Sequence, residues 1–209
     1  MPFDTWLAFF VASWLISLSP GAGALSCMSA GMRYGYARAS WNILGLQFGI
    51  LFVLAIVAAG LGAVLAASTI AFTAVKWLGA AYLVGIGIQQ WRAPALPMRS
   101  DAAATVDGTS RALFRRGFFV NATNPKGILF MLAVLPQFID PERPQLVQYA
   151  ICAVTMFFTD LVVMSGYTGF AARVLRLLRA PRHLRAMNRA FGGLFVTAGV
   201  FLATFRRVA

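Results

Sequence analysis

The stretch FVNATNPKGILF, residues Phe119–Phe130, lies inside an apolar segment running from Gly117 to Phe138. Its centre, Asn124-Pro125-Lys126, puts a helix breaker and a cation where a membrane helix should be most apolar. Proline removes one backbone hydrogen bond and clashes with the preceding turn. A cation at bilayer depth costs about 3 kcal/mol on insertion scales. A chain that places both there is building a polar site within the membrane. A second interruption, Ser19-Pro20-Gly21, stands in the first apolar segment.

The surrounding sequence fits a membrane setting. Of 209 residues, 60% are apolar and 11% charged, against about 25% charged in a soluble domain. Mean hydropathy is +0.75. The apolar residues fall into six runs: Thr5–Ala30, Trp41–Ala67, Phe72–Trp91, Gly117–Phe138, Leu146–Ala172 and Ala190–Phe205. Most reach the roughly 20 residues that a transmembrane helix needs. The last is the shortest and would rely on bilayer thinning or on snorkelling of Arg189 and Arg206. The expected fold is an all-α membrane protein with six transmembrane helices. It forms one integral membrane domain over residues 1–209: a three-helix repeat at 1–91, a cytoplasmic linker at 92–116 and a second three-helix repeat at 117–209. The linker holds Pro94, Pro97, Asp101, Asp107 and Gly108, a breaker-rich composition. The first run is expected to be retained, because Met1–Thr5 has no cation of the kind a signal peptide carries.

The formal net charge is +12. In a soluble protein this would point to nucleic acid. Here the cations fall in loops, where they set orientation and meet anionic lipid head groups. Membrane lipid, and no nucleic acid, is the expected partner. The cations divide unevenly between the two sides. Thirteen arginines follow the first, third and fifth runs, from Arg33 and Arg38 through Arg111 and Arg116 to Arg189; three, Arg143, Arg206 and Arg207, lie on the opposite side. The positive-inside rule puts the richer side in the cytoplasm and both termini outside, in the periplasm. The segment Arg173–Arg189 reads as a topology anchor or a short surface helix.

Three helices per half is an odd number, so two copies of one unit must be inverted relative to each other. Such repeats place a site at the midplane on helices broken at corresponding positions. Pro20 and Pro125 each lie in the first helix of their half. Ser19 precedes one and Asn124 the other, and Ser or Asn at N-cap with Pro at N1 is a helix-start signature. Each break would therefore start a new half-helix, whose N-terminus exposes free N–H groups and a partial positive charge. Two such ends form a cradle for an anionic group. Gly21 and Gly23 allow close approach, while Asn121, Thr123 and Asn124 add polar side chains. The candidate binding residues are Ser19, Pro20, Gly21, Gly23, Asn121, Asn124, Pro125 and Lys126.

Asp160 is the lone acid within an apolar run. An ionisable residue inside a membrane is a functional candidate by default, and proton relays are the usual use. Asp160 could take up a coupling proton, hold a substrate amino group, or pair with Lys126. Asn42 and Gln47 are weaker site candidates that could equally bond between helices. Cys27 and Cys152 lie in separate runs with no C-x-x-C spacing, and His183 is assigned to a loop. No metal site, catalytic group or cofactor is expected.

The stretches SLSPGAGA (Ser17–Ala24), KWLGAAYLVGIGIQQWRA (Lys76–Ala93), FVNATNPKGILF and LPQFIDPERPQLVQY (Leu135–Tyr149) resemble the lysine exporter superfamily of amino-acid efflux proteins, in the homoserine/threonine branch. Many relatives carry Pro-Gly-Pro in the first helix; here the second proline is replaced by Ala22. The resemblance implies a secondary transporter in the bacterial inner membrane, exporting a small amino-acid substrate such as homoserine, its lactone or threonine at the expense of the proton gradient. A homo-oligomer is compatible with it. A divalent-metal exporter of the same superfamily would need more intramembrane acids or a His/Cys cluster. A membrane thiol-reductase-like protein lacks its reactive pair. A non-transporting scaffold would have no use for Pro20, Pro125, Lys126 and Asp160 together.

Overall fold

The computed structural model describes residues 1–67, 69–93, 108–171, 173 and 181–204. Within them the chain is all-helical, with no strand. Eight α-helices follow in order: α1 (Phe3–Leu18), α2 (Ala22–Tyr34), α3 (Tyr36–Ala67), α4 (Thr69–Arg92), α5 (Ser110–Ala122), α6 (Pro125–Val134), α7 (Gln145–Gly169) and α8 (Pro181–Thr204). A 3₁₀ turn, Leu135–Phe138, extends α6. The first apolar run thus becomes α1 and α2, bent by 55°, and the fourth becomes α5 and α6, bent by 49°. Segments Tyr36–Gly60 and Gln145–Gly169 are each long and apolar enough to cross a membrane. Counting each bent pair as one span brings the number to four among the described residues.

Helices α4 and α8 stand at the third and sixth runs. The sixth differs most from expectation. It is a helix of 24 residues starting at Pro181, not a 16-residue span starting at Ala190. Pro181 at its start is a natural first residue, and the polar turns from Arg182 to Arg189 hide the helix from a hydropathy reading. His183, assigned to a loop, therefore lies in α8 and is exposed. Similarly, α5 begins at Ser110, inside the segment read as linker, where the Thr109 side chain accepts from the Ala112 N–H. The linker residues 94–107, the anchor residues 174–180, and Arg206 and Arg207 lie outside the described residues.

Close packing depends on glycine. α3 and α5 lie against each other along Gly45 and Gly49, a small-xxx-small pair, and Gly117. A Cβ at Gly49 would come within 2.6 Å of the Phe118 carbonyl oxygen, and one at Gly45 or Gly117 would overlap the Phe114 or Asn42 carbonyl. α4 and α8 meet in the same way, at Gly87 and Gly192. Gly35 plays a different part. Its φ of 75° ends α2 and lets α3 begin at the next residue, a conformation that favours glycine.

Two apolar clusters form the interior. One joins Phe9, Val53, Leu83, Phe130, Tyr149 and Phe195. The other joins Ala24, Met28, Ile43, Leu46, Val163 and Met164. Cys152 and Cys27 are fully buried members of these clusters, one in each, and both are free thiols. The two breaks lie between the clusters.

Candidate functional site

At the second break the local sequence acts as expected. Asn124 is the N-cap of α6, its side chain accepts from the Lys126 N–H at 3.1 Å, and Pro125 takes the first helical position. Pro125 thereby gives up an N–H that would have been unpaired there anyway.

The first break is different, and one expectation is corrected. Ser19 does not cap α2. It closes α1, its N–H donating to the Leu15 carbonyl, and the N-cap of α2 is Gly21, with no side-chain cap. The reason is tertiary. The Ser19 hydroxyl is drawn to Gln90 of α4, whose Nε2 donates to it at 3.3 Å. The freed carbonyls at the end of α1 find partners from distant helices. Lys126 Nζ donates to the Ser19 carbonyl at 2.8 Å, and the Tyr167 hydroxyl of α7 donates to that of Leu18 at 2.6 Å. A cation at a helix C-terminus is favourably placed against the helix dipole.

Both breaks open on one cavity. Its polar lining comes from Ser17, Ser19, Asn121, Asn124, Lys126 and Asp160. Gly21, Gly23 and Gly127 bring backbone to its wall, and Ile16, Leu46, Ile50 and Met164 give an apolar side. Its volume is about 50 Å³, room for a few waters. The start of α2 at Gly21 and the start of α6 at Asn124 therefore face the same space. Of the residues singled out from sequence, Ser19, Gly21, Gly23, Asn121, Asn124, Lys126 and Asp160 are brought together here. Pro20 and Pro125 are not in the lining; they shape the breaks. Thr123 is turned away, its hydroxyl donating to the Phe119 carbonyl of its own helix.

Asp160 is 5% exposed, and Gln47 Nε2 donates to its Oδ2 at 2.7 Å. Ser17 of α1 lines the same cavity. Pairing with Lys126, one of the three roles left open for Asp160, is not made. Both residues line the cavity, but they do not come within ion-pair distance, because the Lys126 ammonium is held at the Ser19 carbonyl. Asn121 is also committed, donating to the Leu46 carbonyl at 2.8 Å. Asn42 links helices, accepting from Ser26 and donating to the Leu113 carbonyl. Among the described residues, no three His, Cys, Asp or Glu side chains come together as metal ligands.

Four residues of this region carried little or no sequence signal. Gly127, Gln90 and Tyr167 were unmarked, and Gln47 was only a weak candidate. A glutamine in the middle of an apolar run was the usable clue for Gln47.

Residues 14–205 match the LysE type translocator family. The chain is 44% identical to the homoserine/homoserine lactone efflux protein of Salmonella typhi, with 99% of each chain covered. It is 40% identical to an uncharacterized membrane protein of Vibrio cholerae, with 98% of each covered. Over 94% of its length it is 27% identical to the leucine efflux protein of an Enterobacter strain, covering 93% of that protein. No solved structure matches it at a significant level. A family match across nearly the whole chain, on a helical membrane protein with paired helix breaks, shows that this chain belongs to the LysE type translocators.

Proposed function

We propose that the protein exports small amino acids across the bacterial inner membrane, homoserine, its lactone and threonine first, driven by protons. The observation that carries this is the shared cavity. Two half-helix N-termini and a buried carboxylate face one small space, which suits a zwitterion. The backbone donors at Gly21–Gly23, with the Lys126 ammonium and the positive end of the α6 dipole beside them, take the substrate carboxylate, as helix N-termini take anions. Asp160 carries the coupling proton. The relatives named for homoserine and its lactone support the substrate class.

In this reading six helices span the membrane as one domain. Residues 1–91 and 117–209 form two inverted three-helix units, and both termini lie in the periplasm. Alternating access arises from movement of one unit against the other around the cavity. Reporter fusions should place Gly108 in the cytoplasm and Arg143 outside; the reverse result removes the inversion.

The direct test is uptake of radiolabelled amino acids into everted vesicles, where export appears as accumulation. Homoserine should accumulate only when the protein is present and should be lost when an uncoupler collapses the proton gradient. Vesicles that accumulate no amino acid above the empty control contradict the proposal.

A further inference from the structure

Asp160 sits in the cavity wall and, among the described residues, has no ion-pair partner. The charged and titratable groups that interact with it are Lys126 of α6 and Cys27 of α2. Cys27 is fully buried within the apolar cluster, and Lys126 is tied to the Ser19 carbonyl. A buried carboxylate costs a great deal unless it is paired and hydrogen-bonded. Gln47 gives Asp160 a hydrogen bond but no charge. Gln47 is itself fully buried, and its Oε1 has no partner. An ionisable acceptor thus faces the cavity, held from behind by a buried amide whose own Oε1 is unpartnered. What Asp160 lacks is a compact cation with several N–H groups.

We infer that Asp160, positioned by Gln47, forms the subsite for the substrate's α-ammonium group. Asp160 supplies the charge. The Gln47 amide, behind the cavity wall, fixes the carboxylate through Nε2. This deepens the proposed transport function and rests on it. It also gives the proton and the substrate a common seat. A carboxylate that holds the ammonium cannot hold a proton at the same time, which is the exclusion that antiport needs. Homoserine and its lactone differ at the carboxylate end but share the ammonium. A site anchored at the ammonium accepts both, with the helix N-termini taking a carboxylate in one case and a carbonyl in the other.

The test uses full-length protein in liposomes, with counterflow of radiolabelled homoserine as the readout, since counterflow requires binding but no proton gradient. Unlabelled homoserine and homoserine lactone should both compete. N-acetylhomoserine, which keeps the carboxylate and loses the cation, should compete at least tenfold more weakly, about the loss expected from hydrogen bonds to a charged group. Asp160→Asn should abolish counterflow, and Gln47→Leu should raise the half-saturating homoserine concentration severalfold. Two results overturn the inference: N-acetylhomoserine competing as well as homoserine on the wild-type protein, or Asp160→Asn keeping counterflow with unchanged affinity while losing only proton-driven accumulation. The first does not depend on how the variants fold. Wild-type protein that shows no counterflow with any amino acid overturns the transport proposal itself, and this inference with it.

Discussion

The two helix breaks look alike in sequence and are held differently. At Asn124-Pro125 the cap is local: one side chain bonds the N–H two residues on, and the proline occupies the position where it does least harm. At Ser19-Pro20-Gly21 the new helix has a bare glycine cap. The old helix end is held instead by Lys126, Tyr167 and Gln90, contributed by α6, α7 and α4. The second break is coded within a few residues, while the first depends on the assembled fold. Lys126 joins them, since it follows one break and caps the helix end of the other. Movement at either break is thereby felt at both.

Substitutions at the breaks should reveal the difference, and four can be ranked by thermal unfolding of the detergent-solubilised protein. Lys126→Met should have the largest effect. It removes a charged hydrogen bond, typically worth about 1.5–3 kcal/mol, and should abolish export, with partial recovery in Lys126→Arg. A stable, active Lys126→Met protein would mean that the breaks are independent. Asn124→Ala comes next, with loss of a helix cap costing about 1 kcal/mol. Asn124→Ser should restore most of it, since serine also caps. Tyr167→Phe should cost about 0.5–1 kcal/mol, the range of a single neutral hydrogen bond. Ser19→Ala should be the mildest, below about 0.5 kcal/mol, because the hydroxyl makes only a long bond to Gln90 and no cap. A Ser19→Ala cost equal to that of Asn124→Ala would show the two breaks to be built alike.

The same contrast explains what the sequence revealed. The pair Asn124-Pro125 could be read as an N-cap and first turn because every atom involved is local. Ser19-Pro20 carries the same pattern, yet its hydroxyl is claimed by Gln90, 71 residues away, and no local rule reports that. The Lys126 ammonium was visible as a misplaced cation, but its partner, the Ser19 carbonyl, is a backbone group with no residue-type signal. Asp160 was assigned to the interior as the lone acid of its run. Its bond to Gln47 spans 113 residues and emerges only when α3 and α7 are packed. The beginning of α8 was missed because Arg182, Arg185 and Arg189 lower the local hydropathy, although Pro181 marked the start. The Gly45/Gly49 spacing that lets α3 meet α5 stands in the sequence, but it does not name the helix that packs there.

The central claim is that the cavity between the two breaks is where substrate sits. Gly127 lines it, and a Cβ built there meets nothing within 4 Å, so a side chain can be introduced without disturbing the breaks. The most direct measurement is the rate at which a Gly127→Cys thiol, in a background with Cys27 and Cys152 replaced by alanine, reacts with a small thiol reagent in membranes. Saturating homoserine should slow that reaction severalfold, and homoserine lactone should do the same. A thiol that reacts at the same rate with and without either ligand, in a variant that still exports, would place the substrate elsewhere and contradict the account.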